Sequence, residues 1–316
     1  MYLYQHGKRS LFSATACAKE PQFAYTEGSH VAMRLSRREL FTATATAAFS
    51  SAGWSRGLRG LKVGVTDWNL RQSAKLEGVG LAKSLGFEGV QVSLGRTPSG
   101  NKLPLDNNDL IQQYLAESHK NKIALNGTCL DILHVNYLKS DPLGTRWVAD
   151  GIDITRRLNA KVMLLPFFGK GALASRDEQD RVGDVLKELA PAAEKAGVIL
   201  GLEDTISAED NVRIMERTQS KAVLVYYDIG NSTVNGFNVP REIDWLGKRR
   251  ICQFHFKDNP NYLGDGKVDF PKIAQSISQI GWEGYANLET DSPSKSIEAD
   301  MRKNLTYVRR VLQETH

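Results

Sequence analysis

The stretch ICQFHFKDN, residues 251–259, alternates between polar and apolar side chains. Every second side chain of a β-strand points to the same face, so one face would carry three polar side chains: Gln253, His255 and Lys257. The other face would be apolar, with Phe254 and Phe256. The polar row has two explanations: a half-exposed edge strand, or an enclosed strand whose polar side chains have a function. The rest of the chain decides between them.

Short apolar runs recur along the chain, separated by segments with helical periodicity. Eight such runs cover residues 61–68, 87–94, 122–130, 161–168, 197–204, 222–230, 251–258 and 284–290. Eight helical patterns alternate with them, which predicts an α/β protein: a (β/α)8 TIM barrel, as a single domain over residues 61–316. The alternative is an open doubly wound sheet. That fold would carry a glycine-rich phosphate loop after its first strand, and VGVTDWNLRQS has none.

The ends of the predicted strands carry side chains that can bind a metal. Polar side chains inside a barrel cost free energy unless they have a function. The fifth to eighth strands each bring one metal-competent residue to the same rim: Glu203, Asp228, His255 and Glu289. Each residue alone has an ordinary explanation, as an ion-paired Glu or a hydrogen-bonded core His. Together they predict one divalent-metal site, best suited to Mn²⁺ or Mg²⁺, with Co²⁺ and Zn²⁺ as alternatives.

From about residue 61 to residue 312, the chain resembles the xylose isomerase-like barrel superfamily, in particular the sugar phosphate isomerase/epimerase group that includes ketose 3-epimerases. The resemblance rests on the four metal-competent residues and on the phrases around them: EDT, YYDIGNS, HFKD and LGDGKVDF. In those epimerases a Glu, an Asp, a His and a second Glu bind one divalent metal, which implies the same role here. Two positions differ: Asn231 replaces a frequent substrate-contacting His, and Gln91 replaces a frequent Glu.

The chemistry of such a site is proton transfer next to a carbonyl. A divalent ion that chelates a carbonyl and a neighbouring hydroxyl makes the adjacent C–H more acidic. Glu203 and Glu289 are the predicted acid–base pair, because two carboxylates on opposite sides of a carbon can remove a proton and return it. The alternative is that both glutamates serve only as metal ligands.

Four further residues near the strand ends are predicted to contact the substrate: Trp68, His134, Asn231 and Lys257. Lys257 either stabilises an oxyanion or neutralises Asp228. The indole of Trp68 either stacks on a sugar or packs on a neighbouring loop. His134 follows the third strand, where a histidine is often only a surface residue.

The predicted function is that of a divalent-metal-dependent sugar isomerase or epimerase that acts through an enediolate. One alternative is a lyase or hydrolase of 3-keto-glycosides with the same metal site, and another is a non-catalytic secreted carbohydrate-binding protein. DNA-repair endonucleases share the barrel but assemble zinc sites from many histidines, whereas this chain has six in total. The expected partner is a small-molecule sugar or keto-glycoside, and the resemblance also implies a homo-oligomer.

Composition limits the other partners. The chain is 41% hydrophobic and 24% charged, and no window approaches the roughly 18 apolar residues that span a bilayer. Much of the net charge of +5 lies in residues 1–52, which carry six basic and three acidic residues. Neither nucleic acid nor a membrane is therefore an expected partner. Cys129 and Cys252 lie on different predicted strands, so we expect core thiols and not a disulfide.

Residues 33–52 resemble a twin-arginine signal peptide. Arg37 and Arg38 precede a weakly apolar Ala/Thr run and a small-residue site. Met33 is then the expected start, and residues 1–32 are a misassigned or disordered extension; the alternative for the whole leader is a disordered basic tail. The signal predicts a periplasmic or otherwise exported protein.

Replacing both Arg37 and Arg38 by lysine should retain the protein in the cytoplasm, because this export route reads the arginine pair. Cell fractionation with immunoblotting measures the effect. Arg34→Lys, outside the pair, is the control and should be exported normally. Unchanged export of the double variant would contradict the twin-arginine route.

Overall fold

The computed structural model describes Leu58 and residues 60–315, which contain a closed barrel of eight parallel strands. The strands are β1 (Leu61–Thr66), β2 (Gly89–Ser93), β3 (Ala124–Cys129), β4 (Val162–Pro166), β5 (Ile199–Glu203), β6 (Val223–Asp228), β7 (Ile251–Phe256) and β8 (Gly284–Leu288). The α-helices of the described residues are α1 (Glu77–Leu85), α2 (Asn108–Asn121), α3 (Pro142–Arg157), α4 (Arg176–Ala196), α5 (Ala208–Thr218), α6 (Ile229–Val234), α7 (Val239–Arg250), α8 (Phe270–Gln279) and α9 (Ile297–Glu314). Each strand pairs with the next, and β8 pairs with β1. The predicted TIM barrel is confirmed.

The two faces of β7 explain its alternating sequence. Phe254 packs edge-on against Trp282, with ring centroids 4.8 Å apart, as part of the apolar core. Gln253 and His255 are polar, yet only 3% and 0% of their surfaces are exposed, because they point into the barrel. A closed barrel has no edge strand, so the edge-strand explanation is wrong.

Side-chain and glycine caps set several helix boundaries. At the start of α4, Ser175 Oγ accepts the Glu178 backbone N–H (3.3 Å), and the Ser175 N–H donates to Glu178 Oε2 (3.1 Å). Gly86 and Gly197 end α1 and α4 with φ of 98° and 66°, a conformation that glycine adopts without strain. These caps fix where each helix begins or ends, and so set the lengths of the connections to the neighbouring strands.

Helix α6 is the main difference from the predicted pattern, which has no helix between residues 222–230 and α7. Asp228 ends β6 and also caps α6, because its Oδ1 accepts the backbone N–H of Asn231 at 2.8 Å. The chain therefore turns helical at once where the strand stops. The strands also end earlier than predicted, as at Thr66 in β1, because the residues that follow enter the loops at the rim.

Amide side chains fill part of the barrel interior below this rim. Asn287 Nδ2 donates to the Tyr226 hydroxyl (2.8 Å) and to Gln253 Oε1 (3.2 Å). Asn126 Nδ2 in turn donates to Asn287 Oδ1 at 2.6 Å. Gly64 leaves the room for this cluster, since a Cβ there would lie 2.1 Å from Asn287 Oδ1. Because most of these buried amide groups pair with one another, the interior tolerates polar residues next to the rim; Oδ1 of Asn126 is the one left without a partner in the cluster.

Some predictions concern parts of the chain outside this barrel. The predicted signal peptide at 33–52 and the extension at 1–32 lie outside the described residues. Within the described part, every helix is too short or too polar to cross a membrane. Cys129 and Cys252 are free thiols that pack against other residues of the barrel.

Candidate functional site

Four side chains from adjacent strands meet at the carboxyl-terminal rim of the barrel. Glu203 and Asp228 end β5 and β6, His255 is next to last in β7, and Glu289 follows β8 directly. Asp228 and His255 are also partners in the β6–β7 register. One potential ligand atom from each of the four residues lies within 4.8 Å of the others. The structure thus brings the predicted ligand set together, and its role in binding a metal stays a prediction.

Gln91 sets the orientation of His255. The Nε2 atom of His255 lies 2.8 Å from Gln91 Oε1, which also accepts the Tyr226 hydroxyl at 3.0 Å. An amide oxygen only accepts hydrogen bonds, so Nε2 carries the proton and Nδ1 presents its lone pair. Three carboxylate oxygens surround Nδ1, at 2.8 Å (Glu203 Oε1), 3.4 Å (Glu289 Oε2) and 3.8 Å (Asp228 Oδ2). Burial lowers the pKa of His255, which favours this neutral form.

The crowding of carboxylates shifts their proton affinities. Burial, and then the charge of Glu289, raises the pKa of Glu203 to about 8. Burial also raises the pKa of Asp228, although the ammonium of Lys257 opposes this. Burial alone would raise the pKa of Glu289 too, but the charge of Lys257 lowers it. The raised pKa therefore favours the protonated form of Glu203 at neutral pH without a metal, and in that form its O–H donates to Nδ1 of His255.

Lys257 is the lysine that contacts these carboxylates in the described part of the chain. Its Nζ lies 2.6 Å from Asp228 Oδ2 and 2.5 Å from Glu289 Oε2. A Cβ at Gly230 would lie 2.6 Å from Lys257 Cγ, so the glycine gives the lysine its path. The structure contains the contact between Lys257 and Asp228 that one of its two predicted roles, neutralisation of Asp228, requires.

The donor set fits a divalent cation. Three carboxylates and one imidazole lone pair converge, and one ammonium balances them in the described residues. Such oxygen-rich sets suit Mn²⁺ or Mg²⁺, and the imidazole also admits Co²⁺ or Zn²⁺. A proton on Glu203 compensates part of the negative charge of the cluster, and a bound cation would compensate that charge in place of the proton. The ligands would be Glu203, Asp228, His255 and Glu289.

Two neighbouring groups aim the carboxylates. The indole N–H of Trp68 donates to Glu289 Oε1 at 2.9 Å, and the backbone N–H of Asn231 donates to Asp228 Oδ1 at 2.8 Å. Each bond occupies one oxygen and leaves the other facing His255. Trp68 thus orients Glu289 in addition to lining the cavity above it.

A cavity of about 400 Å³ opens above these residues, here called the metal-centre cavity, and its size is ordinary for small-molecule sites. All four predicted substrate contacts line it: Trp68, His134, Asn231 and Lys257. His134 stacks on Phe168, with ring centroids 6.2 Å apart. The histidine is therefore part of the cavity wall and not a simple surface residue; contact of any of the four with substrate stays a prediction.

Several residues of the site were not predicted from the sequence. Arg96 and Asp131 line the metal-centre cavity, and Asp131 accepts a hydrogen bond from Ser93. Arg96 lies in the loop directly after β2. Because the sites of such barrels are built from the loops that follow the strands, this position could have identified it. Gln91 was identified only as a difference from ketose epimerases, without its bond to His255.

Asp204, next to Glu203, anchors the loop after β5. Its Oδ1 accepts the backbone N–H of Ile206 (3.1 Å) and the side-chain amide of Asn211 (3.0 Å). Its Oδ2 is buried and has no hydrogen-bond partner within the described structure. Burial raises the pKa of Asp204 from 3.8 to about 7, against the two hydrogen bonds that favour the charged form.

Known sequences resemble this chain over much of the barrel. The sequence model for the xylose isomerase-like TIM barrel matches residues 79–311. A 2-epi-5-epi-valiolone 7-phosphate 2-epimerase of Actinoplanes sp. is 23% identical over 204 residues, which cover 64% of this chain and 74% of that protein. An uncharacterized protein of Methanocaldococcus jannaschii is 26% identical over 120 residues, 33% of this chain and 41% of its own length. This chain thus matches less than half of the second relative.

Solved structures share the fold at low identity. D-psicose 3-epimerase from Clostridium cellulolyticum H10, solved with D-tagatose, has a TM-score of 0.67 at 17% identity, covering 79% of this chain and 99% of that one. The 3-keto-D-glucoside 4-epimerase YcjR from E. coli has a TM-score of 0.65 at 16% identity, with the same coverage. The IolI protein with a bound zinc atom has a TM-score of 0.64 at 16% identity, covering 81% of this chain and 99% of that one.

The raised pKa of Asp204 predicts a pH-dependent stability. The folded protein holds this proton more tightly than the unfolded chain, so the stabilisation is complete below about pH 4 and is lost as the pH rises through about 7. In metal-stripped protein, Asp204→Asn should gain about 2 kcal/mol in free energy of unfolding relative to wild type between pH 5 and pH 8. Urea denaturation measures the difference.

The matched control is Asp244→Asn, the same substitution on the exposed face of α7. If the difference between Asp204→Asn and wild type changed with pH no more than that of the control, Asp204 would be ionised in the folded protein throughout this range.

Proposed function

The chain belongs to the xylose isomerase-like TIM barrel family, and we propose that it is a sugar epimerase or isomerase that depends on one divalent metal ion. The observation that carries the proposal is the convergence of four ligand atoms within 4.8 Å of one another, beneath a cavity. The similarity to a valiolone-phosphate epimerase and to ketose and keto-glucoside epimerases supports sugar chemistry at this site. The zinc in the similar IolI structure supports a metal, with Mn²⁺ or Mg²⁺ better matched to the carboxylates here.

A divalent ion held by the four residues would polarise a sugar carbonyl and make the adjoining C–H acidic. The protein itself would supply the proton transfers. Glu203 and Glu289 come from β5 and the end of β8, on either side of Asp228 and His255, so they can approach a carbon from two directions. One would remove the proton and leave an enediolate, and the other would return a proton to the opposite face.

Neighbouring residues would prepare the two glutamates for these roles. The indole of Trp68 holds Oε1 of Glu289, which leaves Oε2 as the reactive oxygen. Lys257 touches that same oxygen at 2.5 Å and keeps Glu289 ionised, as a base must be. Glu203 reaches the site from β5, where its Oε1 lies 2.8 Å from Nδ1 of His255, and would exchange the proton at the opposite face of the carbon.

A second candidate function is that of a lyase or hydrolase of 3-keto-glycosides. Proton abstraction would be the same, but a leaving group would depart in place of reprotonation. Similarity to the fold of a 3-keto-D-glucoside 4-epimerase favours this class of substrate. We also propose that residues 33–52 direct export, which would place the enzyme where non-phosphorylated sugars are its substrates.

The purified protein should contain one divalent ion per chain, measured by elemental analysis. His255→Ala should lose the ion, because it removes the neutral nitrogen from the ligand set. His119→Ala, at an exposed position on α2, is the control and should retain it. Stoichiometric metal in His255→Ala would contradict the proposed site.

With metal bound, the protein should introduce deuterium from D₂O at the carbon beside the carbonyl of its sugar, seen by NMR over a panel of free ketoses and 3-keto-glycosides. Glu203→Gln and Glu289→Gln should each slow the exchange by about 10²- to 10⁴-fold, the range for general acid–base catalysis. An epimerase would return an inverted, labelled sugar, and a lyase would release the aglycone.

Glu298→Gln, exposed on α9, is the control and should exchange at the wild-type rate. If the Glu203 and Glu289 variants kept their metal and also exchanged at that rate, proton transfer by these residues would be wrong, and a carbohydrate-binding protein would be the better interpretation.

A further inference from the structure

A second cavity of about 400 Å³ adjoins the metal-centre cavity on the side of α6 and is called the rim cavity here. Asn231 and Lys257 line both cavities, so they form the boundary between them. The rim cavity is otherwise lined by residues of the loops after β5, β6 and β7, including Thr205, Thr233, Asn235, Asn261, Pro260 and Val268. A ligand at the metal centre therefore has a neighbouring space of similar size.

The lining of the rim cavity suits an uncharged, hydroxylated ring. Hydroxyl and amide groups offer both donors and acceptors, while Pro260 and Val268 offer apolar contact. The one carboxylate in this wall, Asp258, is already occupied, because it accepts the backbone N–H groups of Gly266 (2.9 Å) and Lys267 (2.9 Å). Lys257 is occupied as well, by its two carboxylate partners. Lys267, the remaining charged residue of this lining, is exposed, so its ammonium can stay in solvent.

The boundary residue Asn231 has a free donor. Its backbone N–H is bound to Asp228 Oδ1 at 2.8 Å, and its carbonyl accepts the side chain of Asn235 at 2.8 Å, so the residue is fixed at the start of α6. Its Nδ2 is buried and has no acceptor within the described structure. Buried donors are rarely left unpaired, and an oxygen of a ligand that crosses the boundary would satisfy this one.

We propose that the substrate has two parts: a keto-sugar ring at the metal centre, and a second hydroxylated ring in the rim cavity, joined through an oxygen next to Asn231. This inference rests on the proposed function and narrows its substrate class to glycosides with at least two rings. Contacts of the second ring, remote from the reacting carbon, raise kcat/KM, because their binding energy positions the first ring.

Two compounds with the same keto ring test the proposal: methyl 3-keto-β-D-glucopyranoside, and 3-keto-cellobiose, in which a second glucose replaces the methyl group. The measurement is kcat/KM for deuterium exchange by Mn²⁺-loaded protein in D₂O. In wild type, 3-keto-cellobiose should be favoured by about tenfold or more, the gain expected of a well-contacted remote ring. Thr233→Trp, which fills the rim cavity, should reduce this preference to below about twofold.

Asn235→Trp, at an exposed position of the same wall, provides a second way to fill the cavity and should have the same effect. Leu143→Trp, at an exposed position on α3, is the control and should keep the wild-type preference. Equal kcat/KM for the two compounds, or a preference that both tryptophans leave intact, would overturn the two-part substrate and leave the proposed function standing. If Mn²⁺-loaded wild type exchanged neither compound but exchanged a free ketose, the two-part substrate would be overturned and the proposed function would stand. If it exchanged no free ketose and no 3-keto-glycoside, both would be overturned.

Discussion

Among the described residues, the buried carboxylates around Nδ1 of His255 carry more negative charge than the one ammonium in contact with them can balance. The other features of the rim follow from this excess. Lys257 is drawn between Asp228 and Glu289, and Glu203 retains a proton well above its ordinary pKa. Both responses reduce the charge at a cost that a divalent cation would remove. The same groups are therefore compatible with a protonated cluster and with the proposed metal site.

Asp228, Glu289 and His255 each use one atom in a supporting hydrogen bond and present another atom to the site. Gln91 holds Nε2 of His255 from below, Trp68 holds Oε1 of Glu289 from the side, and Asn231 holds Oδ1 of Asp228 from the start of α6. Fixed ligands of this kind lose little conformational freedom when a cation or a transition state forms between them. The support extends downward into the amide cluster of the barrel, whose buried groups would otherwise oppose folding.

The fold and the ligand set could be predicted from the sequence because both follow from periodicity. Regular alternation of strands and helices allows few architectures, and the carboxyl ends of parallel strands must meet at one rim. The positions of Glu203, Asp228, His255 and Glu289 at strand ends therefore predict that they lie close together. The supporting bonds could not be predicted in this way. The bond from His255 to Gln91 spans 164 positions, and that from Trp68 to Glu289 spans 221. Helix α6 was missed because Asp228 both ends a strand and caps a helix, while its neighbours read as a continuation of the strand.

Asn231 contacts both the predicted metal ligand Asp228 and the space in which a substrate would lie. Its backbone N–H orients Asp228, a role that any residue except proline can perform, whereas its side chain, together with Lys257, lies at the boundary between the two cavities. A histidine there, as ketose epimerases often have, would extend a bulky ring into this boundary. Asparagine is shorter, and its Nδ2 offers a donor to an oxygen at this boundary. If the proposed metal centre is retained, the size of the sugar that it accepts would then depend on a side chain that contributes no ligand.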